Sequence, residues 1–213
     1  MKITIIYDNT AFRPDLKPDW GFAALVENGK TRILFDTGTD GAILLGNMKK
    51  LDIDPLSIDE VFISHNHFDH TGGLPAFLNE NNDVKIYVPV SIRKIRNAKK
   101  VIRLGEPTEL HDHVYSTGEL DRIEQSMAVG AGKGLVLVVG CSHPEMKHIL
   151  DTASQFGRIH AIIGGMHGFS QYDLFRDLDL ICPTHCTRHI AEIRARYPDK
   201  YIQGGAGRII EIQ

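Results

Sequence analysis

Four short β-type runs in this chain end on loops that carry a histidine or an aspartate, and a fifth ends on a cluster of both. Ile33-Leu34-Phe35 stops at Asp36-Thr37-Gly38, and Val61-Phe62-Ile63-Ser64 stops at His65. Val136–Gly140 leads into Cys141-Ser142-His143, Ile159–Ile163 into Gly164-Gly165-Met166-His167, and Ile181–Pro183 into Thr184-His185-Cys186. A sheet fixes where its strand ends lie, while the loop that follows is free to carry reactive side chains. One histidine after a strand is an ordinary polar residue. Three of them beside a histidine cluster call for a fold in which five strand ends meet along one edge.

The cluster itself is His65-Asn66-His67-Phe68-Asp69-His70. Three imidazoles and a carboxylate within six positions form the donor density of a divalent-metal site. His65 and His67 project alike if the segment is extended, and Asp69 and His70 then reach a second point a few ångströms away. Neutral imidazole with carboxylate suits Zn²⁺, and similar sets also accept Mn²⁺ or Fe.

The rest of the chain reads as one domain over residues 1–213. Hydrophobic residues make up 42% and charged residues 24%, an ordinary globular balance. A net charge of −3 offers no field for nucleic acid or an anionic membrane. The N-terminus reads as a strand, Lys2–Tyr7, rather than a signal peptide, and no run nears the ~20 apolar residues of a membrane span. Three cysteines without framework spacing suit a reducing compartment, so the expected location is cytoplasmic. Asn28-Gly29 predicts a tight hairpin between 22–27 and 31–36. Asp40 predicts a helix cap ahead of Leu44, Met48 and Leu51. Further helices are expected from Gly72 to about Asn79, from Pro144, and from about Thr187 to Arg196. Strands are expected over 84–88 and 208–212, with a hairpin over 123–139. Residues 91–120 have no clear period.

With LFDTG at 34–38, SHNHFDHTGG at 64–73, GCSH at 140–143, GGMH at 164–167 and THCT at 184–187, the chain resembles the metallo-β-lactamase superfamily. Within it the pattern is similar to the dihydropterin-phosphate synthase-like metal-dependent hydrolases. The resemblance implies an α/β four-layer αββα sandwich, with two mixed sheets face to face and helices outside. It implies that His65, His67 and His143 surround one metal and that Asp69, His70 and His185 bind a second. Asp36 would orient a ligand imidazole. The activity implied is that of a binuclear zinc hydrolase using a metal-activated hydroxide. A phosphodiester, cyclic phosphate or pterin-linked phosphate is the expected small-molecule substrate, with lactones and thioesters as alternatives. A ligand-binding or signalling module with little turnover is the competing reading from another class.

One position departs from the pattern. Two-metal members of the superfamily usually place a bridging aspartate at the motif matched here by GGMH, and this chain has His167. Imidazole offers one lone pair per ring nitrogen and does not bridge as a carboxylate does. His167 is therefore open between a terminal ligand, an acid/base contacting substrate, and a group that touches no metal. In the hydrolase reading Asp69 holds a metal and steers the nucleophile's proton, and His167 protonates the leaving group.

Weaker signals remain. Arg96, Lys99 and Lys100, within the basic run 93–103, are expected either on a solvated helix face or in an arm gripping a phosphate. His111-Asp112-His113 is expected at the surface or in a substrate loop. Cys141, Cys182 and Cys186 read first as small buried residues beside ligand loops. His148, His160 and His189 read as ordinary histidines. Trp20 and Phe12 lie in an irregular segment that could form a flap over the site.

Overall fold

The β-type runs resolve into two sheets in the computed structural model, which describes residues 1–213. The first sheet uses β1 (Lys2–Tyr7), β2 (Ala23–Asn28), β3 (Thr31–Phe35), β4 (Glu60–Phe62), β5 (Lys85–Pro89) and β6 (Lys100–Leu104). The second uses β7 (Thr108–His111), β8 (Val114–Ser116), β9 (Met127–Ala131), β10 (Gly134–Val139), β11 (Ile159–Gly165) and β12 (Leu180–Thr184). A last strand, β13 (Ile209–Glu211), returns to the first sheet beside β1. The orders are β13-β1-β2-β3-β4-β5-β6 and β12-β11-β10-β9-β8-β7. Both sheets are mixed: β3 through β6 run parallel, as do β10 through β12, and the remaining pairs are antiparallel.

Alternate residues of each strand serve different layers. Ile3, Ile5, Ala24, Val26, Ile33 and Phe35 pack against Val136, Val138, Ala161 and Ile163 of the other sheet, forming the central core. Leu25, Leu34, Ile86 and Val88 face the opposite way, onto helices α1 (Gly41–Lys50) and α3 (Leu74–Glu80); a single turn, α2 (Phe68–Thr71), precedes α3. Leu135, Leu137, Val139 and Ile162 face outward onto α4 (Met146–Ala153) and α5 (Ile190–Arg196). The result is the expected four-layer αββα sandwich. Asp40 caps α1 as its position predicted, with Oδ1 accepting from the amides of Ala42 and Ile43 at 2.7 and 3.0 Å. No helix is long and apolar enough to cross a membrane.

The basic run 93–103 is not a helix. Val101 and Ile102 are β-formers, and Lys100–Leu104 pairs in parallel with β5. Arg103 donates from Nε to the carbonyl of Ile92 at 3.0 Å and also bonds the carbonyl of Arg93, tying the preceding turn to this strand.

Parallel pairing is what positions the site. Because β3 and β4 run together, Asp36 and His65 leave the first sheet at the same end. Because β10, β11 and β12 run together, Cys141, His167 and His185 leave the second sheet at one end. The two sheets join there: the amide of Gln125 bonds the carbonyl of Ser64 at 2.9 Å, and His65 pairs as a bridge with Glu124.

Candidate metal centre

The loops at this edge are held in unusual backbone conformations. Asp36, Ser142, His167 and His185 all have positive φ, at 56°, 58°, 40° and 49°. Such conformations are costly for residues with a Cβ and persist only where the surroundings fix them. Gly164 makes β11 fit against β10, since a Cβ there would lie 1.9 Å from the carbonyl oxygen of Val139.

Three nitrogens converge on one point. His65 Nε2 lies 3.1 Å from His67 Nδ1, and His143 Nε2 lies 3.1 Å from the same atom. One ring nitrogen cannot serve two such neighbours well by hydrogen bonding. Ligands about 2.0–2.1 Å from a tetrahedral zinc would be spaced about 3.3 Å apart, close to what is seen. A second point lies among Asp69, His70 and His185, whose donor atoms all fall within 4.8 Å of one another. His185 Nε2 is 3.2 Å from Asp69 Oδ2 yet is buried without a hydrogen-bond partner. A buried polar atom left unpaired is costly, and a cation at this point would pair it. The donor set therefore fits two divalent metals.

The ring orientations are imposed from outside. Asp36, fully buried, accepts from the Ser64 amide at 2.7 Å, from Ser64 Oγ at 2.7 Å and from His70 Nδ1 at 2.7 Å. Since Ser64 Oγ donates to Asp36, it accepts from His65 Nδ1 at 2.8 Å. On the far side, Asn9 Oδ1 accepts from His185 Nδ1 at 3.0 Å, and Asp8 Oδ1 accepts from the His185 amide at 2.8 Å. Each acceptor fixes one tautomer, so His65, His70 and His185 all present an Nε2 lone pair inward.

Glu124 does the equivalent for the loop that carries His143. Its carboxylate, 1% exposed, accepts from the amides of Gly140, Cys141, Ser142 and His143 at 2.9–3.1 Å. Burial pushes its pKa up, and these amides oppose the shift.

Burial and electrostatics favour the proton-free form of His65, His143, His185 and Asp69. Burial, with the neighbouring imidazoles, holds His65 far below the ordinary histidine range and lowers His143 to about 4. Burial lowers His185 against the pull of Asp69. Asp69 is held below the usual carboxylate range: burial works against this, and His185 and His70 outweigh it. His70 is raised, because Asp36 outweighs burial. His167 stands at the rim, its ring 4.7 Å from that of His143, and is lowered by burial and by Arg188.

The other sequence candidates divide. Trp20 stands over the centre, donating from Nε1 to Asp69 Oδ2 at 2.9 Å, with its ring 5.0 Å from that of His185. Phe12 instead lies against the Arg208 guanidinium, 4.7 Å away. Arg96 lines a cavity of about 210 Å³ with Asn66, Thr71 and Ile95. Lys99 pairs with Asp83 at 3.4 Å, and Lys100 opens β6 level with Lys85, at the strand end away from the histidines. His111 bonds Glu60 at 2.8 Å at that far end as well. Sequence reasoning missed Asp8, Asn9, Ser64 and Glu124. Only Ser64 had a local signal, being next to His65. The others meet the ligands through tertiary contacts alone.

Residues 17–151 match the family model of the metallo-beta-lactamase superfamily. The chain belongs to that superfamily. Among similar proteins is the 7,8-dihydropterin-6-methyl-4-(beta-D-ribofuranosyl)-aminobenzene-5'-phosphate synthase of Methanocaldococcus jannaschii, 29% identical over an alignment 279 positions long with its gaps, covering 98% of this chain and 95% of that protein. The metal-dependent hydrolase Tm1679 of the beta-lactamase superfamily shares the fold with a TM-score of 0.82 at 24% identity, over 100% of this chain and 99% of that one. Human tRNase Z, short form, shares it with a TM-score of 0.67 at 16% identity, over 100% of both chains. Across such sequence distances the metallo-beta-lactamase fold is common property, while activity is set by the site.

Proposed function

We propose that this chain is a metal-dependent hydrolase with two divalent cations, zinc favoured, acting on a small phosphorylated substrate of the phosphodiester or cyclic-phosphate class. The observation that carries the reading is the pair of inward-facing donor sets, His65/His67/His143 and Asp69/His70/His185, brought together at one edge of the sandwich. When bound, the cations supply Lewis acidity, making water a nucleophile near neutral pH and drawing charge from the scissile phosphoryl group. Asp36, Ser64 and Asn9 hold the imidazoles in one tautomer, so no reorientation is needed on loading. Trp20 Nε1 fixes one oxygen of Asp69.

His167 borders a cavity of about 270 Å³ together with His143, Met146, Phe169 and Gln171, a place for the leaving group. With its pKa lowered, His167 is neutral at rest and cannot begin as an acid. Its role is to take up the proton released by the attacking water and return it to the leaving oxygen, so that protons balance over the cycle. Arg96 and Asn66, which line the 210 Å³ cavity, are the groups we assign to phosphate contact. The substrate is proposed to be a small molecule because the net charge of −3 gives no field for a polynucleotide. The similarity to a synthase named for a pterin-linked 5'-phosphate supports the phosphate class.

The test is zinc content per chain together with turnover of bis(p-nitrophenyl) phosphate, with lactone and thioester substrates in parallel. Two zinc ions and phosphodiester turnover that falls at least about 100-fold in Asp69→Ala are expected. Zinc binding without turnover of any substrate would leave a ligand-binding module and defeat the enzyme reading. Turnover confined to lactones or thioesters would overturn the substrate class.

A further inference from the structure

Two cations held a few ångströms apart repel each other strongly unless an anionic donor lies between them. Imidazole cannot supply that donor, because its inward nitrogen has one lone pair. Beyond the imidazoles, the donor groups at this edge contain one carboxylate, Asp69, and two thiols, Cys141 and Cys186. Asp69 falls in a donor group with His70 and His185 and in none with the three-histidine point.

Cys141 is placed differently. Its Sγ is 3.2 Å from His70 Nε2, in the second set. It also lies within 4.8 Å of the donor atoms of His65 and of His143, in the first set, and within 4.8 Å of His185 and His167. No other side chain shares a donor group with members of both sets without being an imidazole. Its position is not loose: the Cys141 amide is pinned by Glu124 at 2.9 Å, and the residue is 2% exposed, at the floor of the site. Cys186 lies one step behind, its Sγ directed at the Cys141 carbonyl oxygen at 3.8 Å. On the same floor, His185 Nε2 is buried without a hydrogen-bond partner, a second donor atom suited to a cation.

Resting on the two-cation reading above, we propose that Cys141 Sγ is a metal ligand, shared as a thiolate between the two sites. Sulfur carries several lone pairs and, once ionised, one negative charge, so it can do what neither His167 nor any other imidazole here can. Ligation removes the thiol proton, which passes to solvent buffer, and forms the metal–sulfur bond; no oxidant or reductant is involved. The neighbouring Cys186 side chain and burial both push the pKa of the metal-free Cys141 thiol up, so it is the cation that displaces its proton. His167 is thereby released from ligation, which agrees with its place at the rim.

The decisive experiment needs no substrate. Zinc K-edge X-ray absorption on the wild-type zinc protein should show a sulfur shell at about 2.3 Å beside nitrogen and oxygen at about 2.0–2.1 Å. Cobalt-loaded wild type should show a near-ultraviolet thiolate-to-cobalt band that Cys186→Ser keeps and Cys141→Ser loses. In Cys141→Ser the weaker metal equivalent should lose at least about 100-fold in affinity, beyond the 10–100-fold typical of losing an outer hydrogen-bond partner. Two metals bound with only nitrogen and oxygen neighbours would overturn the thiolate ligand and leave the metal centre standing. No metal bound at all would overturn the metal centre itself. A sulfur signal that vanishes in Cys186→Ser and survives in Cys141→Ser would assign the ligand to the wrong cysteine and so defeat the proposal. If Cys141→Ser fails to fold, the wild-type absorption spectrum with Cys186→Ser still decides.

Discussion

The two ends of the strands carry polar clusters of similar density and opposite character. At the far end Glu60, 3% exposed, is fully partnered: Lys85 Nζ at 3.0 Å, Tyr87 Oη at 3.2 Å and His111 Nε2 at 2.8 Å. That cluster borders the larger cavity, a groove of about 750 Å³ with no hydrophobic lining residue. At the metal end His65, His70 and His185 are tied down through their outer nitrogens. Their inner nitrogens turn toward further donor atoms: His65 Nε2 to His67 Nδ1 at 3.1 Å, His70 Nε2 to Cys141 Sγ at 3.2 Å, and His185 Nε2 to Asp69 Oδ2 at 3.2 Å without a hydrogen bond. A buried cluster whose hydrogen bonds close on themselves is structure, and one whose lone pairs turn inward has the donor geometry of a cation site. Cavity size and donor geometry point to opposite ends.

The comparison is broken most severely by Asp36→Ala. Asp36 holds two ligand loops through Ser64 and His70, and its loss leaves a raised-pKa imidazole buried without its counter-charge. The expected cost is about 3–5 kcal/mol of stability, with the second metal lost as well. Denaturant unfolding and metal content check this. Glu60→Gln is the matched change at the other end. It should cost only about 1–2 kcal/mol and leave metal stoichiometry untouched. A similar loss of metal in Glu60→Gln would mean the ends are coupled and the contrast is false.

Asp8 tests the outer rim of the metal end by pH. Burial pushes its carboxyl up to about 6, against the amides of His185 and Asn9 that favour the ionised form. A carboxyl raised in the folded state favours folding while protonated. That contribution is complete below the unfolded value near 4 and is lost as pH rises through about 6. Ionised Asp8 therefore costs the metal-free protein up to about 3 kcal/mol at pH 8. Asp8→Asn should raise the melting temperature in chelator most at pH 8, with the gain shrinking between pH 6 and 4. An advantage independent of pH would show that Asp8 does not titrate in this range.

Zinc itself should sharpen the contrast by a comparable amount. At a free concentration 100 times the dissociation constant, binding to the folded state alone adds about 2.7 kcal/mol. The melting temperature should rise in wild type and in Glu60→Gln, and should rise much less in His185→Ala. Equal shifts in all three would place the zinc elsewhere.

What could be read from the chain in advance follows one physical division. Elements fixed by local chemistry were legible: the Asn28-Gly29 hairpin, the Asp40 cap, the β-type runs that form β10 and β11, and the histidines that follow them. Residues 93–103 were not, because their extended form depends on pairing with β5, a partner that spacing does not reveal. Lys99 and Lys100 followed that strand to the far end, and only Arg96 kept a place near the histidines. Asp8, Asn9 and Glu124 lie at least 16 residues from the groups they orient, as with Glu124 and the Gly140 amide, so no motif could name them. Cys141 stood in plain view within GCSH. Its importance came only when the sheets placed its sulfur between two sets of nitrogens.

The smallest effect expected belongs to Trp20, and it is the most direct reporter of the metal end. Trp20 is the only tryptophan in the chain and is 56% exposed, so it contributes little to the core. Its indole N–H bonds the oxygen of Asp69 that lies 3.2 Å from His185 Nε2. A charge-assisted bond at an exposed position contributes about 0.5–1.5 kcal/mol, so Trp20→Phe should weaken the second metal only about 2–13-fold. In wild type the same geometry ties the indole to the site. Cobalt addition should therefore quench tryptophan emission with the stoichiometry of metal binding, while Glu60→Gln quenches identically and Asp69→Ala does not quench at the second equivalent. Emission that ignores cobalt would remove Trp20 from the centre and, with it, the claim that the irregular segment after β1 closes over the metal end.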